Sequence, residues 1–162
     1  MIHRAPWIAP ISAIWAGCNR GKRDLVVDLT TADGREIARR LLADADVFIQ
    51  NFRPGVADRL GLGEAELRAA NPGLVYVSVN GFGESGPYAD RKTYDYVVQA
   101  LVGMAALQTD RYHGRPTLLR NAVIDKATAY AAAQAASAVT LPAASAALDS
   151  ESAATSAHGT AA

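Results

Sequence analysis

Two periods of apolar residues alternate along the chain, and each change of period marks an element. Met1–Gly17 is apolar without a period, and Pro6 and Pro10 exclude a helix there, so it reads as an irregular lead-in over residues 1–18. Asp24-Leu-Val-Val-Asp-Leu29 is a β-branched run between polar clusters and predicts a strand. Thr31 then offers a cap, Asp33 and Glu36 suit the positive end of a helix, and Ile37, Leu41 and Leu42 form its apolar stripe. Asp46–Gln50 predicts a second strand, followed by a turn at Asn51-Phe-Arg-Pro-Gly55. Glu64–Ala70 is a short helix stopped by Asn71-Pro-Gly73. Leu74–Val79 is the most β-rich stretch, and a Gly/Pro loop runs from Gly81 to Thr93. Tyr94–Leu107 has helical spacing, Thr117–Ile124 predicts a strand, and Asp125–Val139 predicts an alanine-rich helix.

Strands that alternate with helices in units of about 30 residues indicate a parallel sheet with crossover helices. Ligands of such sheets sit beyond the carboxyl ends of the strands. The loops after Gln50, Val79 and Ile124 therefore hold the residues of chemical interest.

Composition changes this picture at one end. Of 162 residues, 50% are hydrophobic, enough for a core, but half of the alanines lie from Ala127 onward. No aromatic residue follows Tyr130 and no lysine or arginine follows Lys126. Residues 142–162 lack the apolar surface to offset their ordering entropy, so a low-complexity, disordered or helical Ala-rich tail is expected there. Sixteen basic residues balance sixteen acidic ones. That balance argues against a nucleic-acid partner, which needs a basic stripe. The chain shows no long uncharged apolar run and no secretory signal pattern, so a cytoplasmic protein without membrane contact is expected. Cys18 has no cysteine partner and is expected as a small buried hydrophobe.

Few motifs carry chemistry by themselves. Gly81-Phe-Gly-Glu-Ser-Gly86 spells a dinucleotide fingerprint, but Pro87-Tyr-Ala-Asp90 continues a loop where a helix must open, so no such site is assigned. Ser85 is no nucleophile elbow, since Pro87 stands where glycine is required. His3, His113 and His158 lack ligand spacing, and no metal is expected. Asn51-Phe-Arg-Pro-Gly55 offers an amide, an aromatic face and a cation at one strand end, although it also suits an ordinary turn. Asp125 opens the alanine-rich helix. It suits an N-cap first, and is also placed for a nucleophile whose helix start supplies N–H groups to an oxyanion.

Taken in order, several segments resemble one family. These are Asn19-Arg-Gly-Lys-Arg23, Leu29-Thr-Thr-Ala-Asp-Gly-Arg35, Ala43-Asp-Ala-Asp-Val47, Asn51-Phe-Arg-Pro-Gly55 and Arg59-Leu-Gly-Leu-Gly63. Asn71-Pro-Gly-Leu-Val-Tyr-Val-Ser-Val79, Gly81-Phe-Gly-Glu-Ser-Gly-Pro-Tyr88 and Tyr94-Asp-Tyr-Val-Val-Gln-Ala100 continue the series. The chain thereby resembles the family III CoA-transferases (the CaiB/BaiF, formyl-CoA transferase-like group) from about Ser12 to about Val139.

The resemblance implies an α/β fold with a partial Rossmann-like parallel sheet, and a partial CoA-binding domain over residues 19–141. It implies CoA transfer from an acyl-CoA to a carboxylic acid through an aspartyl-CoA thioester. Asp125 matches the catalytic aspartate, and Asp95 an acidic residue beside the reactive centre. Asn51, Phe52, Arg59, Lys92 and Tyr94 match positions lining the CoA site. Coenzyme A is then a substrate, and no tightly bound cofactor is expected. Family members are interlocked homodimers more than twice this length, so a fragment shortened at both ends is expected, with a frameshift or truncated frame near Val139. An inactive remnant or weak CoA-binding module is the alternative. A racemase-type member is a further one, but Tyr94 stands where racemases place a histidine base. Phenols titrate at about 10 and are poor bases near neutrality.

Overall fold

The computed structural model describes Trp7–Ile8 and residues 11–158, with side chains described from Ser12 to Thr140. The expectations on residues 1–6, 9–10 and 159–162 lie outside the described residues.

Two short strands, β1 (Trp7–Ile8) and β2 (Ile11–Ser12), pair antiparallel. Helix α1 (Ala13–Cys18) follows, with the Ser12 hydroxyl accepting from the Trp15 N–H. The expectation of an irregular, helix-free lead-in therefore does not hold over residues 11–18: the helix begins after both prolines, at a serine that caps it. Cys18 is exposed at its end, not buried as expected, because α1 has no buried face.

Thr31 caps α2 (Ala32–Ala43) as the pattern predicts, accepting from the Gly34 N–H at 3.0 Å. Strand β3 (Val47–Gln50) and strand β4 (Val75–Ser78) pair parallel, with Val47 opposite Val75 and Gln50 opposite Ser78. The crossover between them carries α3 (Val56–Arg59) and α4 (Glu64–Ala70). A parallel pair joined by a helical crossover is the α/β unit the periodicity implied.

The core lies under this crossover. Leu62, Leu67 and Leu74 are buried, and Leu29, Leu42, Phe48, Leu60 and Tyr76 pack against them. Phe48 and Tyr76 meet edge to face at 5.4 Å, and the Tyr76 hydroxyl donates to the Leu62 carbonyl at 3.2 Å. Asn71 closes the unit from the other side. Its Nδ2 donates to the carbonyls of Leu42 and Ala45, at 3.3 and 2.9 Å, satisfying the end of α2.

Two expected strands are absent as ladders. Residues 22–28 pair with no strand, and Val26 is 93% exposed. β-propensity reports fitness for a pleated, half-buried surface, and here no neighbouring strand supplies one. Residues 117–122 are likewise irregular, because their backbone groups bond elsewhere. The Thr117 N–H reaches the Ala105 carbonyl at 3.1 Å and the Leu119 N–H reaches the Gln99 side chain at 2.9 Å.

The apolar stretch read as one helix over 94–107 is two, α5 (Asp95–Leu101) and α6 (Met104–Leu107). Gly103 separates them at φ +79°, a conformation that favours glycine. The last helix, α7, runs Val123–His158, so the backbone of 142–158 is helical and passes through Pro142.

Candidate active-site cleft

The carboxyl ends of β3 and β4 open onto a cleft of about 810 Å³. Asn51, Phe52 and Arg53 enter it from the end of β3, and Val79, Asn80 and Gly81 from the end of β4. Residues 89–95 form a third side, and Ile124, Asp125, Thr128 and Ala129 of α7 the fourth. Parallel sheets bind ligands at such a place.

Each wall is fixed by an identifiable contact. Gln50 is buried at the end of β3. Its Nε2 donates to the Ser78 hydroxyl at 2.9 Å, and its Oε1 accepts from the Phe52 N–H at 2.7 Å. One side chain therefore joins the two strand ends and turns the chain into the Asn51–Phe52 loop. Gly81 lies against Thr93, where a Cβ would collide with the threonine side chain. The loop from Asn80 to Tyr94 is folded back by this close approach. The Asn80 side chain accepts from the Gly83 N–H at 2.6 Å, and Arg91 lies over the Tyr88 ring at 4.7 Å.

The centre of the cleft joins α5 to α7. Asp95, the first residue of α5, is buried, at 8% exposed. Its Oδ2 accepts from the N–H groups of Ile124 and Asp125, at 2.7 and 3.0 Å. Its Oδ1 accepts from Gln99 Nε2. Asp125 is the third residue of α7 and its side chain is exposed, so it does not cap the helix, as one local reading had it. The capping oxygen comes from Asp95, 30 residues earlier.

This arrangement corrects a second expectation. The four N–H groups from Val123 to Lys126, in the first turn of α7, are all engaged, so none of these four is offered to an oxyanion. The Val123 N–H donates to Asn121 at 2.8 Å and the Lys126 N–H to Ala122 at 3.2 Å, while Asp95 takes the two between. The Lys126 ammonium donates to the Asn121 side chain at 2.5 Å, beside the helix start.

Of the seven residues singled out in the sequence, six line the cleft: Asn51, Phe52, Lys92, Tyr94, Asp95 and Asp125. Arg59 does not. It ends α3, with its guanidinium over Gly55. Arg53 and Arg91 stand on the lining as further cations. Sequence reasoning missed Gln50 and Gln99. The one local signal for Gln99 is its place four residues after Asp95, a helical spacing at which Gln and Asp meet. Among the described residues, no group of three or more His, Cys, Asp or Glu side chains is placed to hold a metal, and no helix is long and apolar enough to cross a membrane.

The chain has well-matched relatives. A succinate–glutarate CoA-transferase of Agrobacterium fabrum is 43% identical over 114 residues, covering 70% of this chain and 28% of that protein. An acetyl-CoA:oxalate CoA-transferase of Acetobacter aceti is 41% identical over 112 residues, covering 69% of this chain and 28% of that one. The crystal structure of a CaiB/BaiF family protein from Brucella suis superposes with a TM-score of 0.76 at 40% identity, over 82% of this chain and 35% of that chain. The chain thus spans about a third or less of each of these relatives. The model of CoA-transferase family III matches residues 3–146, nearly the whole of the described chain, and the protein belongs to that family.

Proposed function

We propose that the cleft carries the nucleophile of a CoA transfer from an acyl-CoA to a carboxylate acceptor. The observation that supports this best is the placement of Asp125. Its carboxylate is exposed on the cleft lining while its backbone is pinned through the Asp95 carboxylate. A free carboxylate on a fixed backbone suits nucleophilic attack.

On this reading Asp125 attacks the thioester carbonyl, giving a mixed anhydride and CoA thiolate. The thiolate attacks the aspartyl carbonyl of that anhydride, which releases the donor acid and leaves an aspartyl-CoA thioester. The acceptor carboxylate then attacks this thioester and frees the thiolate again. Thiolate attack on the acceptor's acyl carbonyl forms the new acyl-CoA and regenerates Asp125. Asp95 touches the backbone of Asp125, so its role is to hold the nucleophile. Asn51, Phe52, Lys92 and Tyr94 form the CoA side, where an aromatic face suits adenine and cations suit phosphate. Arg59 acts there only from outside the lining. Residues 19–141 would then be a partial CoA-binding domain, working in the cytoplasm within an interlocked homodimer. Coenzyme A is substrate, with no tightly bound cofactor.

The test is intact-mass analysis after incubation with succinyl-CoA, followed by hydroxylamine. A hydroxylamine-sensitive adduct on Asp125, absent in Asp125→Asn, is expected. Binding of CoA without any adduct would instead support a non-catalytic CoA-binding module. Tyr94, 69% exposed, stands where a racemase would place its base, and exchange of an α-proton with solvent would favour that chemistry.

A further inference from the structure

We infer that Gln99 is a positioning residue for Asp125, acting through Asp95. The inference rests on the reading of Asp125 as nucleophile. Gln99 is fully buried, at 0% exposed, in the middle of α5. A buried carboxamide must satisfy two donors and an acceptor. Here every one is used. Oε1 accepts from the Leu119 N–H at 2.9 Å. Nε2 gives its two hydrogens to Asp95 Oδ1 and to the Asn121 carbonyl at 3.1 Å, with the Leu119 carbonyl sharing at 3.5 Å.

These partners permit one orientation of the amide. Turning it over would set an NH₂ against the Leu119 N–H, and an oxygen against two carbonyls and a carboxylate. The fixed amide then fixes Asp95. With Oδ1 held by Gln99, the carboxylate cannot rotate, and Oδ2 stays aimed at Ile124 and Asp125. The same amide holds residues 119–121, the segment that leads into α7. One side chain thus sets both the approach of the helix and the group that receives its first turn. A residue present only to fill space here would be replaceable by Met, which has the same length and no polar atoms to satisfy.

The test uses the full chain, with isotope labels for NMR. In wild type, the Gln99 NH₂ protons should give two resolved resonances in slow exchange with solvent. Exchange as fast as that of an exposed glutamine would overturn the inference without any variant. Gln99→Met should displace the amide resonances of Ile124 and Asp125 and leave those of Leu74 and Val75 in place. Unchanged Ile124 and Asp125 resonances would show a packing role alone and reject the idea. Gln99→Glu supplies a signature that packing does not produce. When protonated, its O–H can donate to Asp95 as the amide does. When ionised, it sets one carboxylate against another. The two α7 resonances should therefore be near wild type in acid and move as the glutamate ionises, with wild type over the same range as control. A Gln99→Glu protein whose α7 resonances ignore pH would also count against the inference.

The chemical arm is the rate of adduct formation with succinyl-CoA. It should fall roughly 10- to 100-fold in Gln99→Met, with CoA affinity unchanged. If wild type forms no adduct, the nucleophile reading fails, and the NMR arm still decides whether Gln99 sets the start of α7.

Discussion

Replacing Asp95 by Asn tests the centre of the cleft with a change of one atom. In wild type the carboxylate accepts two backbone N–H bonds on Oδ2 and one side-chain bond on Oδ1. Asn keeps the shape but has only one accepting atom. If that oxygen faces α7, the two N–H bonds lose their charge assistance, about 1 kcal/mol each. The new NH₂ then meets the NH₂ of Gln99, donor against donor, which costs about 1 kcal/mol more. Gln99 cannot turn to relieve this without losing Leu119. The expected loss is about 3 kcal/mol, or roughly 150-fold in the unfolding constant. Because Asp95 is only 8% exposed, solvent screening does not reduce this much. Urea denaturation followed by circular dichroism measures the loss. Hydrogen exchange at Ile124 and Asp125 shows whether α7 frays from its start. Asp90→Asn, on the exposed loop, is the control and should stay within about 0.5 kcal/mol. If Asp95→Asn costs no more than this control, the carboxylate does not hold the helix.

Three other perturbations address the supporting structure. Leu74→Ala, at a residue 1% exposed, should cost about 3 kcal/mol in urea denaturation. Leu107→Ala, at 89% exposed, should cost no more than about 0.5 kcal/mol. Gly81→Ala should cost about 1–3 kcal/mol through its collision with Thr93. Thr93→Ala should not relieve that cost, since the threonine Cβ is itself in the way, whereas Thr93→Gly should, and a double-mutant cycle reads the difference. Tyr76 carries a pH dependence. Burial raises its phenol above the ordinary value, ahead of any neighbouring charge. The folded pKa is the higher one, so its contribution is complete below about 10 and is lost as pH rises through the folded value. Titrating the phenol by absorbance, folded and in urea, should show the folded transition at the higher pH.

How far the sequence could be read depends on where each element's partners lie. α2, α4, β3 and β4 were legible because their signals are local: the Thr31 cap, the Asn71-Pro72-Gly73 stop and two β-branched runs. Residues 24–29 carry the same β signal, yet a ladder needs a neighbour, and neighbours are not written in a segment's own composition. The run 117–124 looked like a strand for its apolar residues, while its backbone is held by Gln99. Asp125 was legible as an aspartate at a helix start. The residue that caps that start lies 30 positions away, so a local reading placed the cap on Asp125 itself. Gln99 shows the limit most clearly. One polar residue in an apolar helix gives little local sign that it organises three segments.

The long reach of these contacts also bears on the order in which the molecule assembles. Gln50 and Ser78 are 28 residues apart, and Asp95 and Asp125 are 30 apart. Neither join can form until the intervening chain has closed, an entropic cost that α2 and α4, made of local contacts, do not carry. The two joins that shape the cleft are therefore expected to form late in folding and to open first. A ligand that bridges the strand ends and α7 would bind only the closed form, and its binding free energy would add to that of folding. A ligand of the cleft is then one of the agents that complete the fold, and on the function proposed above the cleft should gain protection from hydrogen exchange when coenzyme A is added.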